Sequence, residues 1–199
     1  MMIHTHGSWF VDEHGRAVLL RGVNLSGSSK VPIGMPTHVR EGFFNHRHVS
    51  FAGRPFPLEE ADEHFARLRE WGLTFVRFLV TWEAIEHAGP GQYDEAYLDY
   101  LVQVIDKARQ YNIRLFIDPH QDAWGRLSGG DGAPGWTYEA VGFKPEHFTE
   151  TGAAVVHATF GAEPLPRMIW PSNYSKLAAA TMFTLFFGGN DFAPQIEIE

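Results

Sequence analysis

Cysteine is absent from the 199-residue sequence, so neither a disulfide framework nor a thiolate zinc site can form. Basic residues are in the minority: 16 Lys and Arg stand against 24 Asp and Glu, which gives a formal net charge of −8. Nucleic acids and anionic membranes attract basic surfaces. The charge balance therefore argues against either as a general partner.

Long apolar runs are missing as well. No stretch approaches the roughly 20 residues of a membrane span, and residues 1–10 lack the basic region and apolar run of a signal peptide. The most apolar stretch, 177–187, predicts a buried helix. Together with the absence of cysteine, these features lead us to expect an intracellular, cytoplasmic protein.

The chain is organised around a strand–helix–strand unit. The apolar runs at 73–80 and 115–122 are short and rich in β-branched and aromatic residues, which is typical of buried strands. Between them, over 93–111, apolar residues recur at steps of three and four, which is the pattern of an amphipathic helix. This unit predicts two parallel strands joined by a right-handed crossover.

The amino-terminal part adds a hairpin and a first strand. Residues 8–20 contain two apolar runs around a turn at Asp12–Gly15, which predicts a β-hairpin. Residues 18–23 predict a first barrel strand, followed by small residues that lead to Lys30.

Two further helices complete the pattern. Residues 58–71 have an acidic first turn, a basic last turn and Gly72 as a cap, and residues 170–187 predict another helix. The alternation indicates an α/β fold with a parallel sheet. Three strands are convincing, whereas a complete (β/α)8 barrel takes about 250 residues. We therefore expect residues 1–199 to be the amino-terminal part of a single (β/α)8 TIM-barrel domain, roughly its first three βα units.

Two long segments, 32–57 and 125–148, show little regular pattern. Loops of this length are usually functional or disordered. The glycine-rich run 129–136 favours a lid or pocket wall, with a flexible insertion as the alternative. His46 and His48 have the spacing of metal ligands, but no carboxylate is evident nearby. A surface loop with incidental histidines is the better interpretation.

Polar side chains follow the predicted strands at their carboxyl ends, where parallel sheets form ligand sites. The set comprises Lys30, Arg77, His120, Asp122 and Trp124. A strand-end Arg can hold a carboxylate ionised, or it can be half of a structural ion pair. A His and an Asp two residues apart can bond adjacent hydroxyls, and a Trp can stack on a ring. The set therefore indicates a sugar or polyol site.

Glycoside hydrolysis needs two carboxyl groups, about 5–5.5 Å apart in a retaining enzyme. The candidates are Glu83, Glu86, Asp118 and Asp122. We interpret the two Glu residues as caps or ion-pair partners of the next segment and Asp118 as a buried structural anchor. No convincing pair of acid/base and nucleophile is present.

Two other functions stay open. His4, His6, His120 and Asp122 suggest a metal-dependent TIM-barrel hydrolase of the amidohydrolase kind. Against it, residues 1–3 are too few for a core strand before His4, and no later strand supplies a carboxylate. The other alternative is a non-catalytic sugar- or lipid-binding module.

Several strings resemble the cellulase-like glycoside hydrolases of family 5. These are Leu20-Arg-Gly-Val-Asn24, Gly72-Leu-Thr-Phe-Val-Arg77-Phe and Asp118-Pro-His120-Gln-Asp122. Longer strings are similar to the endoglycoceramidase-related branch, in particular to fungal β-glucosidases that act on glucosylceramide or ergosteryl glucoside. They lie at Gly27–Lys30, Thr81–His87, His120–Trp124, Gly129–Trp136 and Trp170–Tyr174.

The resemblance implies a retaining (β/α)8 enzyme without a cofactor. By similarity, Lys30, His120 and Asp122 contact the glucose, Arg77 supports the nucleophile, and Trp124 and Trp136 shape the pocket. The long loops would face the aglycone of a steryl or ceramide β-glucoside, with transient contact with lipid surfaces. The family's acid/base Glu lies in an Asn-Glu-Pro motif after strand four, and its nucleophile Glu follows strand seven. Neither motif occurs here, so we expect the 199 residues alone to be inactive.

Overall fold

The computed structural model describes residues 2–25, 27–35, 41–156, 170–192 and 194. The strands in these ranges are β1 (His4–His6), β2 (Trp9–Val11), β3 (Gly22–Leu25), β4 (Phe75–Thr81) and β5 (Arg114–His120). The α-helices are α1 (Ala61–Glu70), α2 (Trp82–Glu86), α3 (Glu95–Gln110), α4 (Trp136–Ala140) and α5 (Leu177–Gly188). Short 3-10 turns precede α1 and α5 and follow β3.

The predicted strand–helix–strand unit is confirmed. β3, β4 and β5 form a parallel sheet in that order, and α3 connects β4 to β5. The side chain of Asp94 caps α3 by accepting from the backbone N–H of Tyr97 at 2.9 Å. Asn112 follows the helix with a φ of 56°, the left-handed conformation predicted for it. Periodicity and caps therefore located this unit to within about two residues.

The predicted hairpin over 8–20 forms only in part. β2 pairs antiparallel with β1, and the segment after the turn adds only a single bridge, Val11 to Ala17. The turn itself is present, because the backbone N–H of Asp12 donates to Arg16 O at 3.0 Å and Gly15 has a φ of 74°. The first sheet strand therefore starts at Gly22 and not at residue 18.

Two hydrophobic cores hold these elements. The first packs α1 and α3 on the sheet through Phe65, Val76, Phe78, Tyr97 and Val104. The second lies among the loops after β5 and includes Trp124, Leu127, Tyr138, Phe148 and Met182. The alternative of a flexible insertion over 125–148 is therefore wrong, since this segment packs into a core, and the pocket-wall interpretation stays a prediction. Residues 36–40 of the other predicted loop lie outside the described residues.

Apolar surface remains uncovered on one side of the described chain. α5 buries Ala178, Ala179 and Met182, whereas Phe186 is exposed and Phe187 is 77% exposed. The prediction of a buried helix therefore holds for only one of its faces. The sheet is not closed into a barrel within the described residues, and no helix there is long and apolar enough to cross a membrane.

Candidate functional site

The site lies where the three parallel strands end. Thr81 and His120 are paired in the register of β4 and β5, so these two strands end side by side. The 3-10 turn Gly27–Lys30 follows β3 and supplies Lys30. Parallel strands thus deliver polar groups from three separate segments to one edge of the sheet.

Four residues form what we call the charge cluster: Lys30, His120, Asp122 and Asp131. Lys30 Nζ lies 2.9 Å from Asp122 Oδ2 and 3.1 Å from Asp131 Oδ2. His120 Nε2 lies 2.8 Å from Asp122 Oδ2 and 3.5 Å from Asp131 Oδ1. The structure therefore brings together three residues that the sequence predicted, and it adds Asp131.

Asp131 reaches the cluster through a backbone pairing with Asp122, just beyond the end of β5. Asp122 and Asp131 exchange two hydrogen bonds, from Asp122 N–H to Asp131 O at 2.8 Å and from Asp131 N–H to Asp122 O at 2.9 Å. A methyl group at Gly130 would lie 1.6 Å from Asp122 O, so only glycine allows this approach. The run Gly129-Gly-Asp-Gly132 was the sequence signal for this contact.

The pKa values in the cluster follow from burial and opposite charge. Burial disfavours charge on Lys30, but its hydrogen bond to Asp122 and the charge of Asp131 outweigh this and raise the Lys30 pKa. Burial also acts against ionisation of Asp122, yet the hydrogen bonds from Lys30 and His120 hold its pKa below the usual value. For Asp131 burial prevails over the charge of Lys30, so its pKa is raised.

Arg77 forms a second layer behind His120. Its Nη2 donates to Asp118 Oδ2 at 2.6 Å, and Asp118 Oδ2 also lies 3.0 Å from His120 Nδ1. Asp118 is thus an ion-paired anchor, as predicted, although its side chain is partly exposed and not buried. Asp118 and Asp122 bond the two nitrogens of the His120 ring, which fixes its orientation.

The two predicted pocket tryptophans are buried. Trp124 is 2% exposed and its Nε1 donates to Thr137 Oγ1 at 2.9 Å, while Trp136 is 3% exposed and its Nε1 donates to Glu86 O at 2.7 Å. The expectation of an open stacking face on Trp124 is wrong, because the second core covers the ring. Tyr174, which sequence reasoning missed, is the exposed aromatic beside the cluster. Its hydroxyl lies 3.5 Å from Asp122 Oδ1.

The other carboxylates considered for catalysis are engaged in structural contacts. Glu83 is buried and pairs with Arg126, with 2.7 Å between Oε1 and Nη2. Glu86 accepts a hydrogen bond from Trp82 Nε1. The interpretation as an ion-pair partner is confirmed for Glu83, whereas Glu86 is a hydrogen-bond acceptor within its own helix.

The prediction of a surface loop with incidental histidines is wrong for His46. His46 is buried, and its Nε2 bonds Glu139 Oε1 at 2.9 Å. This carboxylate lies 93 residues away in the sequence, so local spacing could not reveal it.

The metal-site alternative loses two of its four predicted ligands, His4 and His6. The described residues with metal-ligand spacing are His120, Asp122 and Asp131, whose ligand atoms lie within 4.8 Å of one another. His4 and His6 lie on exposed β1 and do not join this group. The Lys30 ammonium bridges the two carboxylates and already supplies the positive charge that a cation would bring. The donor set therefore suits hydroxyl groups better than a metal ion.

Comparison with known proteins agrees with the resemblance seen in the sequence. The model of the family "Cellulase (glycosyl hydrolase family 5)" matches residues 11–158. The glucosylceramidase of Rhizopus delemar is 57% identical over 96% of this chain, and the ergosteryl-beta-glucosidase of Saccharomyces cerevisiae is 43% identical over 95%. The crystal structure of Cryptococcus neoformans sterylglucosidase 1 with tris superposes with a TM-score of 0.90 at 45% identity and covers 97% of this chain.

These relatives are much longer proteins. The chain spans 29% of the Rhizopus protein, 27% of the Saccharomyces protein and 28% of the Cryptococcus structure. The family match, in contrast, extends over most of the present sequence and includes all three parallel strands and the charge cluster. The chain therefore belongs to glycosyl hydrolase family 5, whose fold is a (β/α)8 barrel.

Proposed function

We propose that the chain supplies the glucose-binding part of an enzyme that hydrolyses the β-glucosidic bond of glycolipids. The substrate is a steryl glucoside or glucosylceramide, and the mechanism is retaining. The charge cluster at the ends of three neighbouring strands carries this proposal. The names of the relatives, which are glucosylceramidases and steryl-β-glucosidases, support the substrate class.

The chemistry of the cluster suits a sugar. Lys30 donates hydrogen bonds, Asp122 accepts them, and His120 can do either, so neighbouring hydroxyls that each donate and accept find complementary groups. Lys30 and Asp122 keep 33% and 18% of their side chains exposed, which leaves them accessible. Hydrogen bonds to charged groups are about twice as strong as those between neutral groups. A small polar ligand can thus be held without a deep apolar pocket.

Arg77, Trp124 and Trp136 act indirectly in this proposal. Arg77 fixes Asp118 and, through it, His120, and in the complete site it would support the nucleophile. In this proposal the two buried tryptophans, which both pack against Trp82, support the sugar site from within the core. The exposed Phe186 and Phe187 support transient contact with lipid surfaces, because they present two adjacent apolar rings at the surface.

The reacting carboxyl groups are not assigned to this chain. Glu83 is buried in its ion pair with Arg126, and Asp118 is bonded to Arg77 and His120, so both carboxylates already serve structural contacts. We therefore infer that the described residues bind the sugar, as the first βα units of a (β/α)8 barrel, without catalysing its release. A non-catalytic binding module is the second candidate, favoured by the completeness of the charge cluster within this chain.

The first test is the intact mass of the protein from its native source, combined with its activity on glucosylceramide and on ergosteryl glucoside. A mass far above 22.5 kDa together with hydrolysis supports the enzyme. A mass of 22.5 kDa with glucoside binding but no turnover would leave the binding module. Turnover by purified residues 1–199 would contradict the inference about the missing carboxyl groups.

A variant links the binding to the cluster. Lys30→Met removes the bridging ammonium and should abolish glucoside binding. Lys107→Met is the matched control, because Lys107 forms an exposed ion pair with Asp62 on the helical side of the sheet. Equal binding by both variants would remove the charge cluster from the proposal.

A further inference from the structure

We propose that Asp131 is a positioning residue that holds Lys30 and His120 in the orientation in which they meet a sugar. The inference rests on the proposed function and extends it to a residue behind the exposed groups. Three features of Asp131 support it: its contacts, its burial and the hydrogen bonds of its backbone.

The contacts make Asp131 the second anchor of Lys30 and place it beside His120. Lys30 bridges Asp122 and Asp131 at 2.9 and 3.1 Å, and His120 faces the same two carboxylates at 2.8 and 3.5 Å. Lys30 is thus placed by two acceptors and not by one, whereas His120 Nε2 is bonded to Asp122 and has Asp131 Oδ1 nearby. A side chain held at two points loses less conformational freedom when a ligand arrives, which favours binding.

Burial separates the roles of the two carboxylates. The side chain of Asp131 is 7% exposed, against 18% for Asp122. Asp131 Oδ1 is buried and accepts no hydrogen bond in the described chain. It is therefore shielded from a sugar hydroxyl, but it lies 3.5 Å from His120 Nε2, the ring nitrogen that also bonds Asp122.

The open oxygen of Asp131 gives His120 an alternative acceptor. A sugar hydroxyl that bonds Asp122 Oδ2 competes with the His120 Nε2 contact to the same oxygen. Leaving a buried donor without a partner is unfavourable. His120 can turn to Asp131 Oδ1, which lies 3.5 Å from its Nε2, and so stay bonded while Asp122 serves the ligand.

The backbone of Asp131 is held firmly enough for this role. Its backbone pairs with that of Asp122 through two hydrogen bonds, and Gly130 and Gly132 permit the close approach. The distance between the two carboxylates is thereby set by main-chain contacts. Such support from packed backbone is what a preorganised site requires.

Titration offers a readout that a purely structural role would not move. Lys30, His120 and Asp122 face Asp131, Arg77 and Asp118 lie behind His120, and Tyr174 lies beside Asp122. Burial raises the pKa of Asp131 above 3.8, whereas that of Asp122 is lowered. On acidification Asp131 therefore takes up its proton before Asp122, and its hold on Lys30 weakens first.

The test uses methyl β-D-glucopyranoside as the probe and NMR titration of the 199-residue protein across pH. Asp131→Asn keeps the shape and removes the charge. We expect its affinity for the glucoside to fall about 10-fold or more, the range for a hydrogen bond to a charged group. Binding by the wild-type protein should begin to weaken above pH 3.8 on acidification, because Asp131 takes up its proton there. This early loss of binding should be absent in Asp131→Asn.

Asp12→Asn is the matched control, because Asp12 is a buried carboxylate paired with Arg16 in the remote hairpin. It should leave affinity and pH profile unchanged. Affinity of Asp131→Asn within twofold of wild type, with the same pH profile, would overturn the inference while leaving the proposed function standing. No glucoside binding by the wild-type protein would overturn both.

A measurement on the wild-type protein covers the case in which Asp131→Asn does not fold. The carboxyl carbon of Asp131 should titrate above 3.8, and its apparent pKa should shift when the glucoside is added. A titration that the glucoside leaves unchanged would contradict the role assigned to Asp131.

Discussion

The buried ion pair between Glu83 and Arg126 gives the sharpest stability prediction. Both side chains are almost inaccessible, and the Arg126 guanidinium lies 2.7 Å from Glu83 Oε1 through Nη2 and 3.3 Å from Oε2 through Nε. Arg126 also donates to Phe43 O at 2.5 Å. The pair thus joins α2 to the segment after β5 and to the loop before α1.

We expect Glu83→Gln to lower the free energy of unfolding by about 3–5 kcal/mol, because it leaves a guanidinium buried without a counter-charge. For a chain of this size each kcal/mol corresponds to about 2–4 °C in melting temperature. The midpoint should therefore fall by about 6–20 °C. Replacing both partners, as Glu83→Gln with Arg126→Met, should be less damaging than the sum of the two single changes.

Urea unfolding followed by tryptophan fluorescence measures these effects, since Trp82, Trp124 and Trp136 form one aromatic group beside the pair. Lys107→Met breaks a solvent-accessible ion pair with Asp62 and is the control, with little expected loss of stability. The reasoning is refuted if Glu83→Gln loses no more than this control, or if the two single losses simply add in the double variant.

Two further predictions concern glycine and pH. Gly130→Ala would place a methyl group 1.6 Å from Asp122 O and should cost about 1–3 kcal/mol in urea unfolding. Gly89→Ala is the control and should cost little, because its methyl group would meet only the movable ends of the Gln92 and Arg47 side chains. Equal losses would contradict the close approach at Gly130. Hydrogen bonds from the side chain and backbone of Arg16 lower the pKa of Asp12 to about 2, so its stabilisation of the hairpin is complete above 3.8 and is lost as the pH falls toward 2. Carboxyl NMR checks this, and a titration of Asp12 near 3.8 would show that the contact does not form in solution.

Local patterns were sufficient for the central unit. The two strands and α3 combine a clear period, a capping Asp94 and a left-handed Asn112, and each of these signals depends only on neighbouring residues. The ends of parallel strands then lie together by geometry. For that reason Lys30, His120 and Asp122 could be predicted as one group without any knowledge of the tertiary structure.

The sequence did not predict the structure where a segment could pair or pack in more than one way. The apolar residues 18–20 suit a hairpin or a sheet. In the structure the strand that pairs with β2 is β1. α5 gave a similar ambiguity: its hydropathy is high all round, so it shows no preferred buried face, and the structure buries only the side with Ala178, Ala179 and Met182.

The loop after β5 shows why the most important correction could not be foreseen. Burial of Trp124 and Tyr138 and the placement of Asp131 all depend on contacts that the chain makes with itself across turns. A glycine-rich run predicts mobility as readily as close packing. Here the close packing prevails, because the backbone polar groups of the run are paired with those of residues 121–125.

The loop after β5 contributes both to the stability of the chain and to the candidate site. Arg126 anchors it to Glu83, and the backbone N–H of Glu83 donates to Gly132 O at 2.6 Å, one residue from Asp131. Weakening the buried pair should therefore loosen the carboxylate that positions Lys30 and His120. A residue far from any sugar can in this way affect binding through the backbone alone. Stability losses and affinity losses should then rise together in variants of this loop, but not in variants of the remote hairpin.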